Sequence, residues 1–128
     1  MLALGLASCG FVSIDEVHCP EGSMLTYENF GRDFLDQYCQ RCHGAAGPSR
    51  NGAPSNYDFG TLRDARAWRD RIFARAASSN TTMPPGPDDP PEEVREKLAE
   101  WLACGARGEE PVDTASLRRD GSKDDPGR

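Results

Sequence analysis

The stretch "YCQRCHG", residues 38–44, places two cysteines two residues apart with a histidine directly behind the second. Such a pair can form a redox disulfide, supply half of a zinc site, or carry a covalently attached group. A redox pair would need a βαβ setting, and the sequence shows no strand-like alternation. Zinc would need a second ligand pair of similar spacing, and the nearest spare ligands, His18 and Cys19, lie on the wrong kind of segment. The pattern therefore favours covalent attachment.

Cys39, Cys42 and His43 match Cys-x-x-Cys-His, the attachment signature of a c-type haem. Two residues between the cysteines, at the end of a helix, let both sulfurs form thioether bonds to the two vinyl groups of one porphyrin. His43 then lies under the ring, where an imidazole nitrogen can bind the iron. The expected cofactor is one haem c, attached through Cys39 and Cys42.

The periodicity of apolar residues predicts an all-α chain of three short helices. The helices are expected over Thr26 to Cys39, about Thr61 to Ala77, and Pro91 to about Cys104, with Thr26 as a cap and Gly105 as a stop. The loops between them are long and irregular, which is unusual in a compact domain unless something organises them. We expect a truncated signal and N-terminal segment over residues 1–25, one domain over 26–106, and a disordered polar tail over 107–128.

Composition limits the partners that the chain can have. The formal charge is −6, which argues against nucleic acid and anionic membrane surfaces. Hydrophobic residues make up only 37% of the chain, with 13 Gly and 10 Pro, so the core is lean and a bound group can fill it. A redox protein of basic or mixed charge is a more suitable partner than a polyanion.

On these residues the chain resembles a class I cytochrome c, over roughly Thr26 to Ala106. That family has a glycine eight residues before the first haem cysteine and a large apolar residue four before it, positions held here by Gly31 and Leu35. Leu35 departs from the aromatic that is usual there. The resemblance implies that the first and last helices cross closely at Gly31 and Trp101, that three helices wrap around the haem, and that the protein is a monomer.

The resemblance also implies the remaining haem contacts. Met83, followed by two prolines on the loop before the last helix, corresponds to the family's distal iron ligand; His18 is the second candidate. A stiff loop would hold a thioether with little loss of entropy, and a thioether favours ferrous iron. Pro54 corresponds to the proline whose carbonyl accepts a hydrogen bond from the proximal imidazole. Further candidates, for contact with a haem propionate, are Tyr57, Trp68 and Arg69.

The N-terminal residues Leu6-Ala7-Ser8-Cys9 resemble a bacterial lipobox. The resemblance implies cleavage before Cys9 and acylation of its sulfur, and hence a lipid-anchored protein of the bacterial periplasm or cell envelope. No Lys or Arg precedes the short apolar run, so an apolar N-terminus without a signal function is the alternative. No other segment has the length of a membrane span, so Cys9 is the only expected membrane attachment.

The haem uses two of the five cysteines and leaves Cys9, Cys19 and Cys104. If Cys9 carries lipid, Cys19 and Cys104 are the natural disulfide, because the first and last helices pack together in the family. The alternative pairs Cys9 with Cys19 and leaves Cys104 as a buried thiol.

The resemblance implies a function in electron transfer and no enzymatic activity. With His43 and Met83 both on the iron, the protein would carry single electrons between a donor and an acceptor redox protein. Two alternatives remain open: a haem sensor or peroxidase-like protein with an open or displaceable sixth ligand, and a haem-free thiol or zinc module.

Overall fold

The computed structural model describes residues 11–44, 50–86 and 89–109. These ranges contain a 3-10 turn at Ile14–Glu16, a π-helical turn at Tyr27–Gly31, and the helices α1 (Arg32–Tyr38), α2 (Gln40–His43), α3 (Leu62–Ala67), α4 (Arg69–Ala76) and α5 (Glu92–Ala103). They contain no strand, and the predicted all-α class is confirmed. None of the helices in the described residues is long and apolar enough to cross a membrane.

The first predicted helix extends past its expected end at Cys39. Its start is the expected one, since the Thr26 hydroxyl accepts from the Asn29 N–H and the Asn29 side chain accepts from the Thr26 N–H, a reciprocal cap. The chain then passes through the π-helical turn into α1, and α2 follows directly after Cys39. Residues 40–43 are therefore helical, and Cys39 lies at the junction of α1 and α2 with backbone angles in the right-handed helical region.

The second predicted helix is divided in two, whereas the third is continuous. Thr61 and Asp64 cap α3 in the same reciprocal way, and Trp68, with φ −103° and ψ 14°, separates α3 from α4. The last helix, α5, ends at Ala103 with Cys104 as its C-cap, and Gly105 follows at φ +87°, where a glycine is favoured as a stop.

The crossing of the first and last helices is as close as the sequence predicts. Trp101 of α5 is fully buried. A Cβ placed on Gly31 would lie 2.6 Å from Cη2 of the Trp101 indole, which is inside van der Waals contact. Only a glycine allows this approach, so the predicted role of Gly31 is confirmed.

Packed contacts continue on both sides of the predicted domain 26–106. Val12 exchanges backbone hydrogen bonds with the side chain of buried Asn80, at 3.0 and 2.9 Å. The Arg107 carbonyl accepts from the Tyr27 N–H at 2.7 Å and from Trp101 Nε1 at 3.0 Å. Both flanking segments therefore contribute to the packed structure. Cys9 with its lipobox, and the tail from residue 110 onward, lie outside the described residues.

A disulfide joins the N-terminal segment to the end of α5. It connects Cys19 and Cys104, whose Cα atoms are 4.8 Å apart, across a sequence separation of 85 residues. This is the pair preferred from the sequence. Cys19 is thereby not available to Cys9.

Candidate functional site

A cavity of about 450 Å³ lies beside the cysteine motif, within the usual size of cofactor and small-molecule sites. Its lining includes residues from the motif, the loop that follows it, helix α4 and the loop before α5. They are Cys39, Cys42 and His43 from the motif; Pro54, Tyr57 and Phe59 from the following loop; Arg71, Ile72, Arg75 and Ala76 from α4; and Met83, Pro84 and Pro85 from the last loop. The cavity thus collects the predicted haem residues from three separate parts of the chain.

Helical geometry turns the three motif residues toward this cavity. Cys39, Cys42 and His43 stand at positions i, i+3 and i+4, which share one face of a helix. The turn itself is formed by hydrogen bonds from the N–H groups of Cys42 and His43 to the Cys39 carbonyl, at 3.2 and 2.9 Å. Both sulfurs and the imidazole are therefore presented to the same space.

The ring of His43 is fixed by the loop that follows the motif. Its Nδ1 lies 2.7 Å from the Tyr57 carbonyl oxygen. Because a carbonyl can only accept, Nδ1 carries the proton and Nε2 keeps the lone pair that a metal needs. The Phe59 ring stacks on the imidazole at 4.4 Å between centroids. The arrangement fixes both the tautomer and the orientation of the ring.

The acceptor of this hydrogen bond corrects the sequence prediction, which assigned it to Pro54. The Pro54 carbonyl instead accepts from Arg50 Nη2 at 2.5 Å. The reason lies in the path of the loop, because the Phe59 N–H donates to the His43 carbonyl at 2.9 Å and so brings the Tyr57 carbonyl to the ring. Pro54 remains part of the cavity wall.

The two motif cysteines are free thiols, and Cys39 is protected from ionisation. Burial raises the pKa of Cys39 to about 12, and the neighbouring Cys42 adds to the rise. Redox-active and metal-binding cysteines need an accessible thiolate and usually have lowered pKa values. The raised pKa of Cys39 therefore does not fit a reactive thiol pair. Within the described ranges, no three His, Cys, Asp or Glu side chains are grouped as a metal site.

The structure places the candidates for the second iron ligand in different surroundings. Met83 lines the cavity, with 40% of its surface exposed. Met24 is 79% exposed and is not part of the lining. His18 lines a different depression, together with Glu96 and Glu100. Among the described candidates, Met83 is therefore the residue that shares the cavity with His43.

The cavity rim carries cations that the sequence analysis did not assign to the site. Arg71 and Arg75, four residues apart on α4, are exposed and line the opening. Guanidinium groups suit carboxylates, such as the propionates of a haem. Of the three residues predicted to contact a propionate, Tyr57 lines the cavity, and Trp68 and Arg69 do not. Trp68 packs on the Tyr57 ring, and Arg69 Nε lies 3.6 Å from Asp70 Oδ1.

A helical Cys-x-x-Cys-His segment, a tethered imidazole and a methionine loop around one cavity define a small c-type cytochrome domain with a cytochrome c-like fold. The chain belongs to the family described as "Cytochrome C oxidase, cbb3-type, subunit III", whose model matches residues 29–102, more than half of the chain. The matched region contains both the motif and Met83. No curated protein and no solved structure shows significant similarity to the chain.

Membership of this family carries consequences for the cofactor. Its members are electron-transfer domains that hold a covalently bound haem c, and in bacteria such domains are typically extracytoplasmic. The cavity residues fit that group, because they offer two unpaired cysteine sulfurs, an imidazole whose Nε2 keeps a lone pair, and an apolar wall.

Proposed function

We propose that this protein is a one-electron carrier that binds one haem c through Cys39 and Cys42, with His43 and Met83 as axial ligands. The observation that supports this is the convergence of all four side chains on one cavity. A haem held there would supply a reversible one-electron couple of the iron. The protein passes electrons from a donor redox protein to an acceptor, and it performs no substrate chemistry of its own.

The residues around the site control how the ligands bind. The Tyr57 carbonyl keeps the proton of His43 on Nδ1, which strengthens Nε2 as a donor. The Met83 sulfur is a soft, neutral ligand that favours the reduced state, so a His/Met pair gives a higher reduction potential than two imidazoles. The exposed arginines Arg71 and Arg75 line the cavity and would be available to pair with the carboxylates of a bound haem.

We also propose an oxidising compartment and a lipid anchor. The Cys19–Cys104 disulfide supports export, since disulfides persist outside the reducing cytosol. The proposed anchor is Cys9, acylated in the bacterial cell envelope, and it rests on the lipobox sequence alone. A monomer is proposed as well, and it rests only on the resemblance to small cytochromes c.

The first test is expression in a bacterial host with haem-attachment machinery. The purified protein should keep haem on a denaturing gel and should show different spectra when oxidised and reduced. Cys39→Ala combined with Cys42→Ala should abolish the covalent haem. A colourless wild-type protein would refute the proposal and favour the haem-free thiol module.

The second test addresses the sixth ligand. Met83→Ala should lower the reduction potential and let the ferrous protein bind carbon monoxide. Met24→Ala is the matched control, because it removes a methionine that is outside the cavity. If the wild-type protein already binds carbon monoxide as readily as Met83→Ala, the sixth position is open, and a sensor or peroxidase-like function is the better assignment.

A further inference from the structure

Arg95 is a buried cation on α5, and its surroundings are unusual for a charged residue. Only 4% of it is exposed. Its Nη1 donates to the carbonyl oxygens of Ala76, Asn80 and Met83, at 2.8, 3.1 and 2.9 Å. Its Nη2 lies 3.8 Å from a carboxylate oxygen of Asp89, which is itself largely exposed. The main partners of the guanidinium are therefore backbone carbonyls.

The three carbonyls belong to the segment that connects α4 to the Met83 loop. Ala76 ends α4, Asn80 lies midway, and Met83 is the proposed ligand. One rigid side chain thus connects α5 to three points of an irregular segment. All three carbonyls lie around one nitrogen, Nη1, and share its two hydrogens, so a single group held in the guanidinium plane brings them together.

Burial of this charge calls for an explanation other than stability. Desolvation of a cation is costly, and an apolar side chain of similar size often stabilises a core as well or better. What an apolar side chain cannot do is hold the carbonyl of Met83. The N–H of Met83 in turn donates to the Arg75 carbonyl at 2.8 Å. Both backbone polar groups of the ligand residue are therefore fixed, one to α4 and the other to α5.

We propose that Arg95 is the positioning residue of the axial ligand Met83, an inference that rests on the proposed function. By fixing the segment from Ala76 to Met83 against α5, Arg95 holds the thioether at the cavity before the iron is bound. A thioether is a weak ligand, so an unrestrained loop would lose it to competing ligands. Arg95 is not part of the cavity lining, and it reaches the lining residues Ala76 and Met83 only through their backbone carbonyls.

The test measures how easily an added ligand displaces Met83 in the haem-loaded protein. Imidazole is titrated into the ferric form, and its affinity is read from the absorption spectrum. Arg95→Gln should raise the apparent imidazole affinity by about 10- to 100-fold, the equilibrium equivalent of losing hydrogen bonds from a charged donor. Arg95→Lys should lie between this variant and the wild type, because an ammonium can reach fewer of the three carbonyls.

Leu98→Ala is the matched control for simple destabilisation. Leu98 is fully buried one turn along α5 and makes no hydrogen bond to the Met83 loop. This variant should lower the melting temperature but leave the imidazole affinity unchanged. If Arg95→Gln lowers the melting temperature with no change in imidazole affinity, Arg95 is only structural and the proposal is wrong. If Arg95→Gln does not accumulate, Arg95→Lys decides on the same criterion.

Met83→Ala separates this inference from the proposed function. If Met83→Ala leaves spectrum and imidazole affinity unchanged, Met83 is not the ligand and both proposals fail. If Met83→Ala changes them and the Arg95 variants do not, only the role of Arg95 is refuted.

Discussion

Replacing Gly31 with alanine should destabilise the protein although alanine favours helices. The added Cβ would lie 2.6 Å from Cη2 and 2.8 Å from Cε2 of Trp101. The indole is fully buried and donates from Nε1 to the Arg107 carbonyl, so it cannot simply rotate away. The helices must instead move apart, and the motif helix moves with them.

The magnitude follows from two opposing effects. Overpacking of a core costs about 1–3 kcal/mol, and the upper part of that range applies to a rigid, fully buried ring. Alanine returns about 1 kcal/mol through its higher helix propensity. The expected net loss is about 2 kcal/mol in the free energy of unfolding. In a domain of this size, that loss lowers the melting temperature by roughly 8–16 °C.

Thermal unfolding followed by circular dichroism measures this loss. Gly60→Ala is the control, because the nearest atom to a Cβ there is Gln40 Oε1 at 4.0 Å, and its melting temperature should stay close to wild type. Trp101→Phe removes the part of the indole that collides. In a double-mutant cycle, Gly31→Ala should therefore be much less harmful in the Trp101→Phe background. An unchanged melting temperature for Gly31→Ala alone would refute the close crossing.

Three further perturbations test other parts of the structure. Replacing Cys19 and Cys104 together with alanine should lower the free energy of unfolding by about 4 kcal/mol, since the disulfide closes a long loop; in chemical denaturation, reductant should then shift the midpoint of the wild type but not of the variant. The Glu109 N–H donates to the Glu28 carboxylate at 2.7 Å and holds the pKa of Glu28 below its ordinary value. The ionised Glu28 carboxylate therefore stabilises the folded state above its unfolded pKa, and this stabilisation is lost as pH falls through the folded pKa. Glu28→Gln should have a lower denaturation midpoint than the wild type at neutral pH and the same midpoint in strong acid. Arg75→Gln should lower the reduction potential, because removing a cation from the cavity rim favours the oxidised iron, whereas Arg63→Gln, which removes an exposed arginine away from the cavity, should change it less.

The parts that the sequence predicted well are those determined by spacing along one helix. Cys39, Cys42 and His43 share a face whatever the rest of the chain does, because 3.6 residues make one turn. The need of Gly31 for a packing partner is also local, since a glycine inside a helix has a cost to offset, whereas Trp101 as that partner was implied only by the family resemblance. The cap at Thr26 is equally local. These features could be predicted without knowing how the helices pack.

Features that depend on the path of a loop could not be predicted in this way. The Tyr57 carbonyl, rather than that of Pro54, accepts the hydrogen bond from His43 because the Phe59 N–H donates to the His43 carbonyl, a contact across sixteen residues. Periodicity also gave no sign of the break at Trp68. Arg95 did have a signal, because it lies three residues before Leu98 and seven before Leu102, on their face of the helix. A charged residue at an inward-facing helix position indicates a buried polar partner.

The structure assigns to α5 a role that its position would not suggest. None of its residues, all of which are described, lines the cavity. Yet Trp101 sets the approach of the helix that carries His43, Arg95 holds the loop that carries Met83, and Cys104 at its end is bonded to the N-terminal segment. The two proposed iron ligands are therefore positioned against one common helix rather than against each other. It follows that displacement of α5 should disturb both ligands together, whereas loss of Arg95 alone should loosen Met83 and leave the hydrogen bond of His43 to Tyr57 intact.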